Sequence, residues 1–155
     1  MGVPMTTTAE QLRASGLRVT KPRLAVLDVL HEHPHADVET ITTGARARLG
    51  TLSTQAAYDV VHALTEIGML RRIEPAGSPA RYEIERHDNH HHLICRSCRE
   101  LLDVPCATGE APCLEASDDA GYLIDEAEVT FWGLCPTCAQ ASSDLASTHG
   151  KGTPA

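Results

Sequence analysis

Apolar residues recur at helical spacing from about residue 8 to residue 67, and at strand spacing in several later stretches. In TTTAEQLRASG, Thr8-x-x-Gln11 has the form of a capping box and Gly16 is a stop, which predicts a short helix. In VTKPRLAVLDVLHEHPHAD, Thr20 can cap and Pro22 suits a first turn. Leu24, Val26, Leu27 and Leu30 form a stripe that Pro34 ends, so the second helix covers about 20–32. Asp37 starts a third helix, VETITTGARARLG, which stops near Gly50. Ser53 or Thr54 caps a fourth, in which Ala57, Val60, Val61, Leu64 and Ile67 form the apolar face and Gly68 the stop. Its other face shows Gln55, Tyr58, Asp59 and His62. MLRRIEP and ARYEIER, joined by AGSP, then predict a β-hairpin.

Short helices followed by a hairpin have the order of a winged helix-turn-helix, with the fourth helix as the recognition helix. The same pattern also suits a small α+β core with a solvated polar face. Beyond it, RHDNHHH forms a polar hinge into a second unit with strand-like LIC and LLDV. A loop through Pro105 and Pro112 and a short helix near 110–119 come next. In YLIDEAEVTFWGLC, Ala127, Val129 and Phe131 alternate with Glu126, Glu128 and Thr130, as in a half-buried strand. The expected class is α+β. Residues 1–86 form the winged helix, 87–91 the hinge and 92–140 a small α/β domain holding metal, with 141–155 an unstructured tail rich in Ser, Ala, Gly and Thr.

Composition narrows this picture. With 42% hydrophobic and 22% charged residues the chain can bury a core, so wholesale disorder is not expected. No apolar run approaches the roughly 20 residues of a membrane span, and MGVPMTTTAEQL lacks a signal-peptide core, so a cytoplasmic protein with no membrane role is expected. The net charge of −8 argues at first against nucleic acid. Yet the 86 residues up to Arg86 hold 10 basic and 10 acidic side chains, whereas the rest hold 3 and 11. Arg13, Arg18, Lys21 and Arg23 fall together with no acid among them. A basic face on the first unit is therefore compatible with DNA. Arg18 and Lys21 are expected near phosphate, and Ser53, Thr54, Gln55 and Tyr58 at the major groove, unless Tyr58 simply packs on its own domain.

Six cysteines in a reducing compartment point to metal or redox chemistry before disulfides. Cys95-x-x-Cys98 and Cys135-x-x-Cys138 each reach one side of a tetrahedral ion, and four thiolates close the shell of a structural zinc. A thioredoxin-like pair would need a βαβ setting, and a zinc deaminase an H-x-E ahead of P-C-x-x-C; neither is present. Cys106 and Cys113 admit a disulfide, a redox sensor or inert loop thiols; Glu110 nearby opposes a thiolate and favours the inert role. His90 and His92 share one side of an extended segment, with His91 on the other. Asp103, Glu83 and His33 are candidates to complete a nitrogen and oxygen shell suited to Fe(II) or Mn(II). The alternative is a solvated histidine cluster in a hinge.

GLRVTKPRLAVLDVL, HPHAD, STQAAYDVVHAL, RYEI, HHHLICRSC, LLDV and WGLCPTC resemble the ferric uptake regulator (Fur) family over about residues 8–139. IEPAGSPARYE, DNHHHLICRSC, GEAPCLEASDD and IDEAEVTFWGLCP are similar to its actinobacterial FurA/CatR branch, whose members repress a catalase-peroxidase gene. The resemblance implies a homodimer that represses from palindromic operator DNA. It implies zinc on Cys95, Cys98, Cys135 and Cys138, and a regulatory ion on His33, Glu83, His90, His92 and Asp103. In peroxide-sensing members an Fe(II)-bound histidine is oxidised; the matching positions are His33 and His90. Three positions depart from the family. Asp59 stands where many members carry Arg in the recognition helix. Ala127 replaces a histidine of an additional metal site. Glu83 stands where peroxide sensors often have Asp, which keeps a plain iron, manganese or zinc sensor open as the second reading. A zinc-dependent or thiol enzyme is the reading from another class, and no open coordination position or activated thiolate in the sequence supports it; a non-enzyme is expected.

Overall fold

The computed structural model describes residues 7–86, 88, 90–105, 118–124 and 128–148, with side chains as far as Ser143. Cys106 and Cys113, and nearly all of the helix expected near 110–119, lie outside the described residues. The chain divides into two compact units, Met1–Arg86 and His87–Ala155.

The first unit begins with α1 (Thr8–Ala14), whose cap is Thr7, one residue before the expected position. The box needs an acceptor three residues beyond the cap, and Glu10 supplies a carboxylate: Thr7 N–H donates to it at 2.7 Å and Glu10 N–H donates to Thr7 Oγ1 at 3.3 Å. A charged acceptor beside the positive end of a helix wins over neutral Gln11. Next come α2 (Lys21–Glu32), capped by Thr20, α3 (Val38–Leu49), capped by Asp37, and α4 (Thr54–Glu66), capped by Ser53. Leu12, Val26, Leu27, Val29, Leu30, Ile41, Ala45, Ala57, Val61 and Leu64 interlock as the core of this unit. The expected stripe on α2 omits Ala25 and Val29, which are also buried, because α3 and α4 both pack on that helix. Ile67, expected in the α4 face, falls at its C-cap and is partly exposed.

Helices α2 and α3 approach closely at Gly44. A Cβ there would lie 2.8 Å from Val29 Cγ2 and 3.1 Å from Cγ1. Gly44→Ala gains up to about 1 kcal/mol of helix propensity but costs about 1–3 kcal/mol of overpacking. The expected outcome is a net loss of about 1 kcal/mol, read as a lower urea midpoint with an unchanged m-value.

Strands β1 (Leu70–Ile73) and β2 (Arg81–Ile84) pair antiparallel as the wing, with Leu70 opposite Ile84 and Ile73 opposite Arg81. An isolated bridge joins Ala36 to Tyr82 and ties the segment after α2 to the wing.

The second unit is a three-stranded sheet of order β4-β3-β5, made of β3 (His90–Cys95), β4 (Leu101–Pro105) and β5 (Thr130–Gly133). β3 and β4 are antiparallel, while β5 runs parallel to β3. After β5, α5 runs Pro136–Thr148, well into the stretch expected to be an unstructured tail. Pro136 suits a first helical turn, and the Ser142 and Ser143 hydroxyls donate back to the carbonyls of Cys138 and Ala139. Serine-rich composition is therefore compatible with helix here. The architecture is α+β, a winged helix-turn-helix followed by a small α/β unit. Among the described residues no helix is long and apolar enough to cross a membrane.

Candidate functional site

Cys95 ends β3 and Cys98 sits in the turn that follows, which Arg99, at φ 64°, helps to reverse. Cys135 and Cys138 flank Pro136 at the start of α5. The parallel pairing of β3 with β5 brings the two CxxC pairs together. All four sulfurs lie within 4.8 Å of one another, with Cys98 Sγ and Cys135 Sγ 3.7 Å apart. Tetrahedral Zn–S bonds of about 2.3 Å place sulfurs about 3.8 Å apart, so the cluster has zinc dimensions. The Cys135 N–H donates to Cys95 Sγ at 3.3 Å and, with the N–H groups of Cys98 and Ser97, holds the Cys95 thiol down at about 6. Cys135 receives the Cys138 N–H, but the thiols of Cys138, Cys98 and Cys95, together with burial, push it up to about 12. Four adjacent thiols cannot all ionise without a cation, and a divalent ion supplies that charge.

In the first unit, Glu83 on β2 is buried, and His35 Nε2 lies 2.9 Å from its Oε2. His33, the histidine expected beside Glu83, is the C-cap residue of α2, with an exposed side chain and its N–H spent on Val29 O. The segment HPHAD offers two histidines with similar local signals, and sequence reasoning missed His35 because only the path of the backbone separates them.

In the second unit, the β3–β4 register sets His92 opposite Asp103. His90 is two residues away on the same face, and its ring meets that of His92 edge-on at 5.1 Å between centroids. Asp103 Oδ1 lies 3.7 Å from His92 Nε2 and 3.9 Å from His90 Nε2. Both imidazoles thus present Nε2 toward one carboxylate. On their far sides, Asp88 Oδ1 is 2.6 Å from His90 Nδ1 and Glu128 Oε1 is 3.8 Å from His92 Nδ1. The carboxylate of Asp88, within hydrogen-bond distance of His90 Nδ1, orients the Nε2 of that ring toward an ion, whereas the Glu128 contact to His92 is too long for a hydrogen bond. Neither Asp88 nor Glu128 was expected in this role; Asp88 could have been found from its two-residue spacing to His90. His91 points away and packs edge-on near Phe131. Three or more nitrogen and oxygen donors with no sulfur suit Fe(II) or Mn(II) rather than the metal of the cysteine cluster.

On α4, Ser53, Thr54, Gln55, Tyr58 and Asp59 are exposed on the helix surface. The Ser53 hydroxyl accepts from Ala56 N–H as the cap, and Gln55 Nε2 donates to Asp59 Oδ1 at 2.8 Å. Arg18 and Lys21 are exposed near the start of α2.

The model of the ferric uptake regulator family matches residues 14–132. The chain belongs to that family. "Transcriptional regulator FurA" of Mycobacterium bovis is 58% identical over 141 residues, covering 91% of this chain and 95% of its own length. "Ferric uptake regulation protein 2" of Mycolicibacterium fortuitum is 52% identical over 145 residues, covering 90% and 99%. Among solved structures, the Helicobacter pylori regulator Fur, described as having three functional metal-binding sites, superposes with a TM-score of 0.69 at 23% identity over 83% of this chain and 87% of its own. The Campylobacter jejuni peroxide stress regulator gives 0.64 at 20% identity over 85% and 99%, a likeness of fold. As a Fur-family member of the FurA branch, the chain is a metal-responsive transcriptional regulator. Its cofactors are Zn(II) and Fe(II) or Mn(II), and the cysteine cluster and the histidine and carboxylate groups are donor sets that could hold metal ions.

Proposed function

We propose that this regulator is a cytoplasmic homodimeric repressor that binds palindromic operator DNA when Fe(II) or Mn(II) is bound, and releases it on peroxide stress. A catalase-peroxidase gene and its own gene are the proposed targets. The observation that carries the reading is the second donor set: His90, His92 and Asp103 present nitrogen and oxygen toward one another. His33 and Glu83 are the other proposed members of the regulatory set. An ion that binds one conformation of the chain more tightly shifts the population toward it, here the one proposed to fit DNA. Fe(II) held by these residues would supply redox catalysis in which the imidazole of His33 or His90 gives up two electrons to hydrogen peroxide, the O–O bond breaks, one oxygen adds to the ring and the other leaves as water. Asp88 holds His90 in place by its Nδ1, and the buried ring of His92 is kept from bulk water.

Homodimer formation is supported by an apolar row. Leu102, Leu93 and Phe131 lie side by side across β4, β3 and β5, and are 51%, 38% and 48% exposed. A second copy of the sheet would cover them, and a two-fold dimer reads a palindrome. For the DNA face, Ser53, Thr54, Gln55 and Tyr58 are proposed at the major groove, with Arg18 and Lys21 at phosphate.

The test is a mobility shift on upstream DNA, with anaerobic protein loaded with Fe(II) or Mn(II), followed by intact mass. Retardation that requires the ion, is lost with equimolar peroxide for Fe(II) but not Mn(II), and accompanies a gain of one oxygen on a histidine is the expected result. A second reading, a metal-availability sensor without peroxide chemistry, is favoured by Glu83, the carboxylate usual in iron sensors. It predicts the same shift with no gain of oxygen. Retardation indifferent to metal would remove both.

A further inference from the structure

We infer that Asp59 is a positioning residue for DNA reading: it holds the amide of Gln55 in the one orientation that matches an adenine edge in the major groove. The inference rests on the reading of α4 as the DNA-facing helix, and it names the base and the residue that selects it.

Gln55 and Asp59 lie one turn apart on α4, both exposed, and Gln55 Nε2 donates to Asp59 Oδ1 at 2.8 Å. A glutamine amide can present either its nitrogen or its oxygen to a neighbour, but a carboxylate only accepts. Asp59 therefore fixes which way the amide points. One N–H of Gln55 is spent on Asp59, and the other N–H and Oε1 remain on the same amide plane. A donor beside an acceptor is the complement of adenine, which shows its N7 acceptor next to its N6 amino donor in the major groove. Guanine offers two acceptors there, thymine one acceptor and cytosine one donor, so none of them satisfies both atoms.

The surroundings favour DNA over helix stability as the reason for the pair. Gln55, Tyr58, Asp59 and His62 of α4 and Arg72 of β1 line one cleft of about 540 Å³ between the helix and the wing. Gln55 is the second residue after the Ser53 cap, in the first turn of the helix, where side chains of a helix-turn-helix reach base edges. Arg72 is paired with Glu74 on its own hairpin. An exposed pair at i, i+4 adds little to a helix, and a carboxylate on a surface that meets phosphate is repelled by it. Orientation of a base-reading amide is the gain that offsets this repulsion.

The experiment selects duplexes from a random-sequence pool with the full chain loaded with zinc and Mn(II). Each adenine of the selected site is then replaced, one at a time, by 7-deazaadenine, which lacks the N7 acceptor, and affinity is measured for wild type, Gln55→Ala and Asp59→Asn. A bidentate base contact is worth about 5–150-fold, so wild type is expected to lose about that much at one adenine and at its symmetry mate. In Gln55→Ala the same replacement should cost less than about twofold, since no amide is left to donate. Asp59→Asn offers the amide a donor as well as an acceptor, frees its orientation, and is expected to cut the penalty to less than about half the wild-type value. Both side chains are exposed, and an unchanged far-UV spectrum checks that the variants fold. A wild type indifferent to every replacement, or a penalty unchanged in Gln55→Ala, would overturn the inference. So would a penalty unchanged in Asp59→Asn, which would leave the pair as a helix-surface contact. A cytosine preference abolished by Asp59→Asn, in place of the adenine effect, would make Asp59 the direct reader and overturn it as well. Failure of wild type to enrich any sequence with Mn(II), Fe(II) or Co(II) would instead sink the DNA-binding reading, and this inference with it.

Discussion

Removing zinc, by a chelator or by Cys135→Ser, is expected to unfold the second unit while leaving the first folded. Among the described residues, the buried hydrophobics of the second unit are Ile94, Cys95 and Leu101. The first unit, by contrast, buries the interlocked core built from α1 to α4 and the wing. A three-stranded sheet with so little apolar interior gains its order from the metal, whose apparent binding energy in small zinc domains is about 10–16 kcal/mol. That is as large as the roughly 5–15 kcal/mol by which an ordinary domain is stable. The geometry explains the cooperativity: the four sulfurs join the end of β3, the turn after it and the start of α5, so the ion locks β5 onto β3. Hydrogen exchange on the full chain should show loss of protection at Ile94 and Cys95, with Val26, Leu27 and Val61 still protected. Retained protection in the second unit after complete zinc removal would refute this.

Acid should act like the chelator. With Cys95 held at about 6 and Cys135 pushed up to about 12 in the metal-free cluster, uptake near pH 7 must displace the proton on Cys135. Zinc-bound thiolates are groups whose pKa is depressed in the loaded state. Their contribution is therefore present near neutrality and is lost as pH falls and protons compete with the ion. Zinc affinity should fall on acidification from pH 7 toward 6 and below, with proton release detectable in an indicator titration.

The second large effect is expected from His92→Ala. His92 is fully buried, with Nε2 toward Asp103 and Nδ1 toward Glu128. Truncation removes a proposed direct ligand, so the loss of Mn(II) affinity should exceed the upper end of the roughly 10–100-fold seen for groups that only orient ligands. In the proposed repressor DNA affinity is coupled to ion binding, so the same variant should need correspondingly more Mn(II) for retardation of upstream DNA, or show none. Zinc content of one ion per chain and an unchanged far-UV spectrum would separate this effect from misfolding. Asp103→Asn, which keeps volume and a hydrogen-bonding oxygen, should weaken Mn(II) less than His92→Ala. Unaltered Mn(II) affinity in His92→Ala would remove His92 from the site.

Much of the molecule follows from local rules. Thr20, Asp37 and Ser53 were readable as caps because a short acceptor beside free helix N–H groups is a strong local signal. The hairpin was readable from alternation around a turn. The four cysteines were readable because two CxxC spacings leave few other arrangements. Thr7 against Thr8 was decided by which downstream side chain carries charge, still a local matter. The helix through Thr148 was missed because serine and alanine composition does not by itself distinguish coil from a helix started at Pro136.

Tertiary structure decided what no local signal encodes. That Asp103 faces both His90 and His92 depends on the β3–β4 register, in which a slip of one residue would turn it to the other face. The meeting of the two CxxC pairs depends on the parallel pairing of β5 with β3. His35 rather than His33 meets Glu83 because the backbone, bridged from Ala36 to Tyr82, turns left-handed at His35. The sequence by itself determined which residue types are available and how the nearby ones are spaced, since helix caps, turns and CxxC pairs act over a few residues. Which of two histidines flanking Pro34 reaches a carboxylate in the wing was decided only by packing and strand pairing, and it is His35, 48 residues from Glu83.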